Sequence, residues 1–209
     1  MSEPTKEPAP SDDTGSNWGL YLAIGVFVLV LGGLIYLALP SAQEPAGPRV
    51  ETYGPWVFEW EGPFWTTLYQ RGEDVFNIRF RYLPQEVDNI TIVEGDARLV
   101  SPFYLSFDPD MTDESLAYVN VAFSDSTIKL RGLYGEMPMP ACTRNDTDPA
   151  CLAVPVVTCD TPNVSAIVFL EAPEPRLILN GSCIVIEGEG EDLYRVESLM
   201  WYRLLRIIR

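Results

Sequence analysis

RLILNGSCIVIEGEGEDLYRVESLMWYRLLRIIR, residues 176–209, changes its structural period midway. Arg176 to Gly188 is rich in β-branched and aliphatic residues and reads as strand on both sides of Asn180-Gly181, a pair suited to a tight turn or a bulge. From Glu191 the spacing becomes helical, with Leu193, Val196, Met200, Leu204 and Ile207 on one face. Glu191 and Asp192 open that helix while Arg203, Arg206 and Arg209 close it, the order the helix dipole favours. The spacing predicts an amphipathic helix to the end of the run, its apolar stripe packed on a core.

Upstream, strands dominate. VFEW (57–60) and FWTTLYQ (64–70) lead into VFNIRFRYL (75–83). There Val75, Asn77, Arg79 and Arg81 alternate with Phe76, Ile78, Phe80 and Tyr82, a period of two that puts one face in a core and the arginines on the wetter face. Phe103–Phe107 is a further strand, and Thr112 is placed to cap a helix whose first turn holds Asp113 and Glu114. TIKLRGLYG (127–135), VPVVTC (154–159) and SAIVFLEA (165–172) read as strands. The predicted class is α+β: a mixed β-sheet packed by about two helices, preceded by a single transmembrane helix.

That helix is expected at residues 18–39, WGLYLAIGVFVLVLGGLIYLAL, inside a stretch without charge between Asp13 and Glu44. Its 22 residues reach roughly 33 Å at about 1.5 Å each, enough for a hydrocarbon core of about 30 Å. Trp18, Tyr21 and Tyr36 stand at the rims, where amphipathic rings prefer to lie, and Pro40 ends the helix. The leader before it is long and acidic, unlike that of a cleaved signal. Gly19 and Ala23 form a small-xxx-small pair that would let two such helices approach, so a homo-oligomer is among the expected partners. Residues 1–17 are Pro-, Ser- and acid-rich and are expected to be a disordered cytoplasmic tail. Residues 40–52 read as a Pro-rich stalk, and residues 53–209 as an extracytoplasmic α+β domain.

Cysteines and asparagines decide the side of the membrane. Cys142, Cys151, Cys159 and Cys183 are even in number and contain no C-x-x-C pair, so zinc is a poor reading. Two disulfides are the better one, and disulfides persist in oxidising compartments. Cys142–Cys151 would close a short turn-rich loop and Cys159–Cys183 would tie two strand ends, although four cysteines allow three pairings. Four of the seven asparagines, Asn89, Asn145, Asn163 and Asn180, head Asn-x-Ser/Thr triplets and are candidate glycan acceptors. Both signals put the C-terminal domain outside the cell.

Charge narrows the function classes. The chain has 14 Lys and Arg against 30 Asp and Glu, a net charge of −16, and no histidine. Phosphate backbones repel such a protein, so nucleic acid is not an expected partner. Without histidine, Ser-His-Asp and Cys-His catalysis and His-ligated zinc are excluded.

The segments ACTRNDTDPAC, LAVPVVTCD, AIVFLEA and LILNGSCIVIEGEGEDLYRVESLMWYRLLRI, with FNIRFRYLP and YLSFDPD, resemble an uncharacterised family of small single-pass membrane proteins from reduced-genome archaea. Cys142, Asn145, Cys151, Cys159 and Cys183 match its pattern, while Leu204-Leu205-Arg206-Ile207 departs from it where a glycine is favoured. The resemblance implies an N-terminal anchor and a Cys-rich external domain; it implies no reaction.

Two acidic loops are the candidate site. Asp108, Asp110, Asp113 and Glu114 follow one strand and open one helix; Glu187, Glu189, Glu191 and Asp192 follow another strand and open the last helix. If those strands run parallel, both loops lie at one sheet edge, where open α/β sheets place ligands. Asp108, Asp110, Asp113, Glu114, Glu187 and Glu189 are then candidate Ca²⁺ ligands, against the simpler use of acids as helix caps. No other cofactor is expected. The expected function is interaction or assembly in the cell envelope, with the bilayer and another membrane or envelope protein as partners. The alternative is an envelope hydrolase or cation-binding protein using paired carboxylates.

Overall fold

A computed structural model describes residues 21–30, 49–93, 95 and 97–209. The chain divides into two compact units, Met1–Gly47 and Pro48–Arg209. In the first, residues 21–30 form helix α1, exposed throughout. Among the described residues no helix is long and apolar enough to cross a membrane. The rest of the expected span at 18–39, the tail at 1–17 and residues 40–48 of the expected stalk lie outside the described residues.

The second unit is α+β. Its first four strands, β1 (Val50–Tyr53), β2 (Trp56–Glu61), β3 (Phe64–Arg71) and β4 (Asp74–Phe80), form an antiparallel meander in chain order. Each hairpin loop has two residues and opens on a glycine with positive φ: Gly54 at 56°, Gly62 at 70° and Gly72 at 64°. A type II′ turn needs a left-handed first residue, which glycine adopts without strain, and its twist matches that of the strands. The expected stalk therefore ends early. Val50 to Thr52 pair with Glu59 to Val57 instead of extending from the domain.

After the short helix α2 (Pro84–Val87) come β5 (Thr91–Val93), β6 (Phe103–Phe107), α3 (Asp113–Tyr134), β7 (Met139–Cys142), the short helix α4 (Pro149–Leu152), β8 (Ser165–Glu171), β9 (Arg176–Asn180), β10 (Cys183–Gly188) and α5 (Glu191–Leu204). A second sheet runs in the order β5-β9-β10-β8-β6-β7. It is mixed: β10, β8, β6 and β7 are parallel neighbours, while β9 is antiparallel to β10. Asn180 pairs with Cys183 across Gly181-Ser182, so the tight-turn reading holds. There are thus two sheets where the strand pattern predicts one, because alternation marks a strand without naming its neighbour.

Helices α3 and α5 lie between the sheets. Tyr202 of α5 stacks on Phe80, with ring centroids 4.2 Å apart, and meets Phe58 edge-on, both from the first sheet. Phe123 of α3 packs on Phe107 and Phe169 of the second. Helix α5 is consequently buried on nearly every side, with Glu197, Ser198, Trp201 and Tyr202 inaccessible along with Leu193, Val196 and Met200 of the predicted apolar face. Each fully buried large apolar side chain contributes roughly 1.5–3 kcal/mol. The helix stops at Leu204, short of the predicted end. The Arg206 N–H donates to the Arg203 carbonyl (3.1 Å) and the Ile207 N–H to the Tyr202 carbonyl (2.8 Å). Arg206 sits at φ 58°, so this is a Schellman cap with arginine in the left-handed position.

Two expected strands are not strands. TIKLRGLYG belongs to α3, where Ser126, Lys129, Leu130 and Leu133 are buried at helical spacing. VPVVTC is a loop joined to β7 by one bridge, Cys142 to Val156. That loop covers the outer face of the second sheet, over a small apolar cluster of Ala141, Val157, Ala166, Val168 and Cys183. Both disulfides form, Cys142–Cys151 and Cys159–Cys183. Cys159 lies in a turn, so the second bridge pins a loop to the start of β10 and does not join two strand ends.

Candidate functional site

Parallel β6, β8 and β10 all end at one edge of the second sheet, and α3 and α5 both start there. The two acidic loops meet across β8, which separates β6 from β10. Between them lies an open cleft of about 880 Å³ lined by the carboxylates of Asp108, Asp110, Glu114, Glu171, Glu189, Glu191 and Asp192, with Thr112, Ser115 and Met111. Four of the candidate cation ligands, Asp108, Asp110, Glu114 and Glu189, thus share one cavity. Asp113 does not line it, and Glu187 turns to Arg176 of β9, 2.8 Å away.

The cleft's carboxylates are largely engaged by the protein. Arg144 pairs with Asp108 at 2.7 Å and also with Asp110. Tyr82 donates to Glu191 at 2.6 Å. Glu171 serves α3: one oxygen accepts from the hydroxyls of Thr112 and Ser115, each at 2.6 Å, and the other from the Thr112 N–H at 2.9 Å. The bonds from Ser115 and then Thr112 hold its carboxyl below the usual carboxylate range. The N-terminus of α3, which attracts anions, is therefore occupied by a side chain of the neighbouring strand. Among the described residues no group of three or more acids is arranged to hold a metal ion.

Gly188 and Gly190 bring strand and helix together. A Cβ on Gly188 would meet the Asp192 Cβ at 3.1 Å and the Leu193 nitrogen at 3.2 Å. Gly190 has φ 50°, and its N–H donates to the Ser115 hydroxyl at 3.0 Å. The glycines thus allow α5 to fold back tightly after β10.

A second polar constellation lies between α3 and α5. Glu197 is wholly buried; one oxygen accepts from Ser126 Oγ at 2.6 Å and lies 3.7 Å from Lys129 Nζ, and the other has no hydrogen-bond partner. Lys129 also pairs with Asp125, and Trp201 Nε1 donates to Ser126 Oγ at 3.1 Å. Burial, only partly offset by Lys129, pushes the Glu197 carboxyl up to about 7. Sequence reasoning passed over this cluster, yet Glu197 stands four residues after Leu193 and three before Met200, on the apolar stripe itself.

All four sequon asparagines, Asn89, Asn145, Asn163 and Asn180, are exposed. Asn145 lies within the loop closed by Cys142–Cys151. No protein-family model matches this chain, and neither does any curated protein or solved structure.

Proposed function

We propose that the chain is a single-pass protein of the cell envelope whose C-terminal domain works outside the cell as an interaction and assembly module. In this reading residues 1–17 are cytoplasmic, residues 18–39 span the bilayer, and Asn89, Asn145, Asn163 and Asn180 carry glycans. The observation that carries it is the closure of all four cysteines into two disulfides, since such pairs persist in oxidising compartments. Exposure of every sequon asparagine supports the same side. The resemblance to anchored archaeal envelope proteins fits this topology.

Binding is favoured over hydrolysis by the state of the acidic cleft. Carboxylate-pair hydrolysis needs one carboxyl kept protonated beside another that is ionised. Glu171 is held ionised by the bonds it accepts at the start of α3, and Asp108 and Asp110 share Arg144 as an ion-pair partner. Cation binding is the second reading, since Asp108, Asp110, Glu114 and Glu189 line one cavity, although Arg144 already engages the first two. Calcium titration followed by thermal melting tests that reading; an unchanged Tm up to millimolar calcium ends it.

The topology is tested on membranes from a host that glycosylates. Expected are a protein that resists carbonate extraction, four thiols that alkylate only after reduction, mass loss on deglycosylation, and digestion of the domain by protease added to intact cells. Free thiols with bare asparagines would overturn the envelope reading.

A further inference from the structure

The outer face of the β1–β4 sheet has no layer over it among the described residues. Leu68 is 67 % exposed, Val75 62 % and Val57 49 %. None of the four sequons falls within these strands. Glu59, Thr66 and Arg79 form a row across this face, because Glu59 pairs with Thr66 and Thr66 with Arg79 in the strand register. Glu59 and Arg79 are both exposed, and no ion pair joins either to the described residues. Two strand spacings of about 4.8 Å separate them.

This pattern is self-complementary. A two-fold axis lying in the interface plane, parallel to β3 and above Thr66, would bring the two faces together and lay Glu59 of each copy on Arg79 of the other. Because such an axis leaves positions along β3 unchanged, it would also set the exposed Leu68 against the Leu68 of the second copy. Isologous dimers require such reciprocity of a single patch. We propose that this face is a homodimer interface, its occupant a second copy of the chain. The proposal deepens the interaction reading above and rests on it for the membrane's share of the affinity. A four-stranded face covers about 400 Å² per copy, half of what a stable soluble dimer buries. Anchoring both copies in one bilayer raises their effective concentration and compensates.

The test is a charge swap on the full chain, labelled at its N-terminus with donor or acceptor dye and measured by energy transfer in micelles and in vesicles. Glu59→Arg and Arg79→Glu are each expected to weaken self-association about tenfold, since two symmetry-related pairs turn repulsive. Mixing the two variants should restore transfer, because in the mixed pair both contacts are again opposite in charge. Leu68→Asp should abolish transfer at an unchanged Tm. A wild-type chain that shows no transfer above random in either medium, swaps without effect, or mixing without recovery would each overturn the proposal. If mixing recovers transfer while the domain proves cytoplasmic, the envelope reading fails and the dimer stands. If the domain is external and mixing recovers nothing, the dimer alone fails.

Discussion

Glu197 of α5 and Lys129 of α3 stand 3.7 Å apart at the centre of the domain, where Glu197 is cut off from solvent completely. Lys129 Nζ also sits over the Phe80 ring at 4.8 Å, so this ion pair links the helix layer to the first sheet. Desolvating two charges is expensive, and a single close partner offsets only part of that cost.

The carboxyl's position predicts a pH dependence. Glu197 is raised from 4.5 to about 7 in the folded state. The folded protein therefore binds more protons than the unfolded chain between those values. The resulting stability is fully present below about pH 4.5 and is lost as pH rises through about 7. Glu197→Gln should remove this component. Its stability advantage over the wild type should widen as pH rises from 4.5 to 8, measured by urea unfolding. A constant difference would contradict the assignment.

Lys129→Met, unlike Glu197→Gln, should destabilise the domain at pH 7. It strips the buried carboxyl of the charge that draws its pKa down, so the carboxyl takes up a proton and the loss stays below the roughly 3–5 kcal/mol of a buried ion left unpaired. The double variant Lys129→Met/Glu197→Gln should recover most of that loss, and a double-mutant cycle in chemical denaturation measures the coupling.

Glu171 behaves oppositely to Glu197. Its carboxyl is held low by Ser115 and Thr112, so its contribution is present above the unfolded carboxylate pKa and is lost as pH falls through the folded one. Glu171→Gln should cost about 1 kcal/mol at pH 7, the worth of a helix cap, and almost nothing at pH 2. Thermal melts at the two pH values check this.

Arg206 occupies a left-handed position at φ 58°. A side chain there costs roughly 1–2 kcal/mol relative to glycine, part of which glycine returns as unfolded-state entropy. Arg206→Gly should therefore stabilise by about 0.5–1 kcal/mol, raising Tm by about 2–3 °C for a domain of this size.

The two disulfides should differ in worth. Their partners are 9 and 24 residues apart in sequence, which in the chain-entropy account gives about 2.7 and about 3.5 kcal/mol. Replacing Cys159 and Cys183 by alanine should thus lower Tm further than replacing Cys142 and Cys151. Cys183 widens the gap because it also belongs to the apolar cluster on the outer sheet face.

Much of the architecture was legible locally. The alternation around Ile78 and Phe80, the strand at Phe103–Phe107, and the cap at Thr112 all stand where their spacing predicts. Gly-Pro at 54–55 and 62–63, and Gly-Glu at 72–73, offered three hairpin signals that the strand reading did not use. The segment 127–135 misled because Thr127 and Ile128 favour strands, whereas its place in the long α3 is set by burial of Lys129, Leu130 and Leu133 against α5 and the sheets.

The amino-acid sequence alone determined the class, the even cysteine count, the acidic loops and the apolar run before the domain, since each depends on composition or on neighbours a few residues away. The tertiary structure decided what depends on distant pairs. It split the strands into two sheets, surrounded α5 on nearly every side, closed Cys159 onto Cys183, and brought Glu197 to Lys129. Strand neighbours and helix burial are chosen by packing across the whole chain, and periodicity within one element cannot encode that choice.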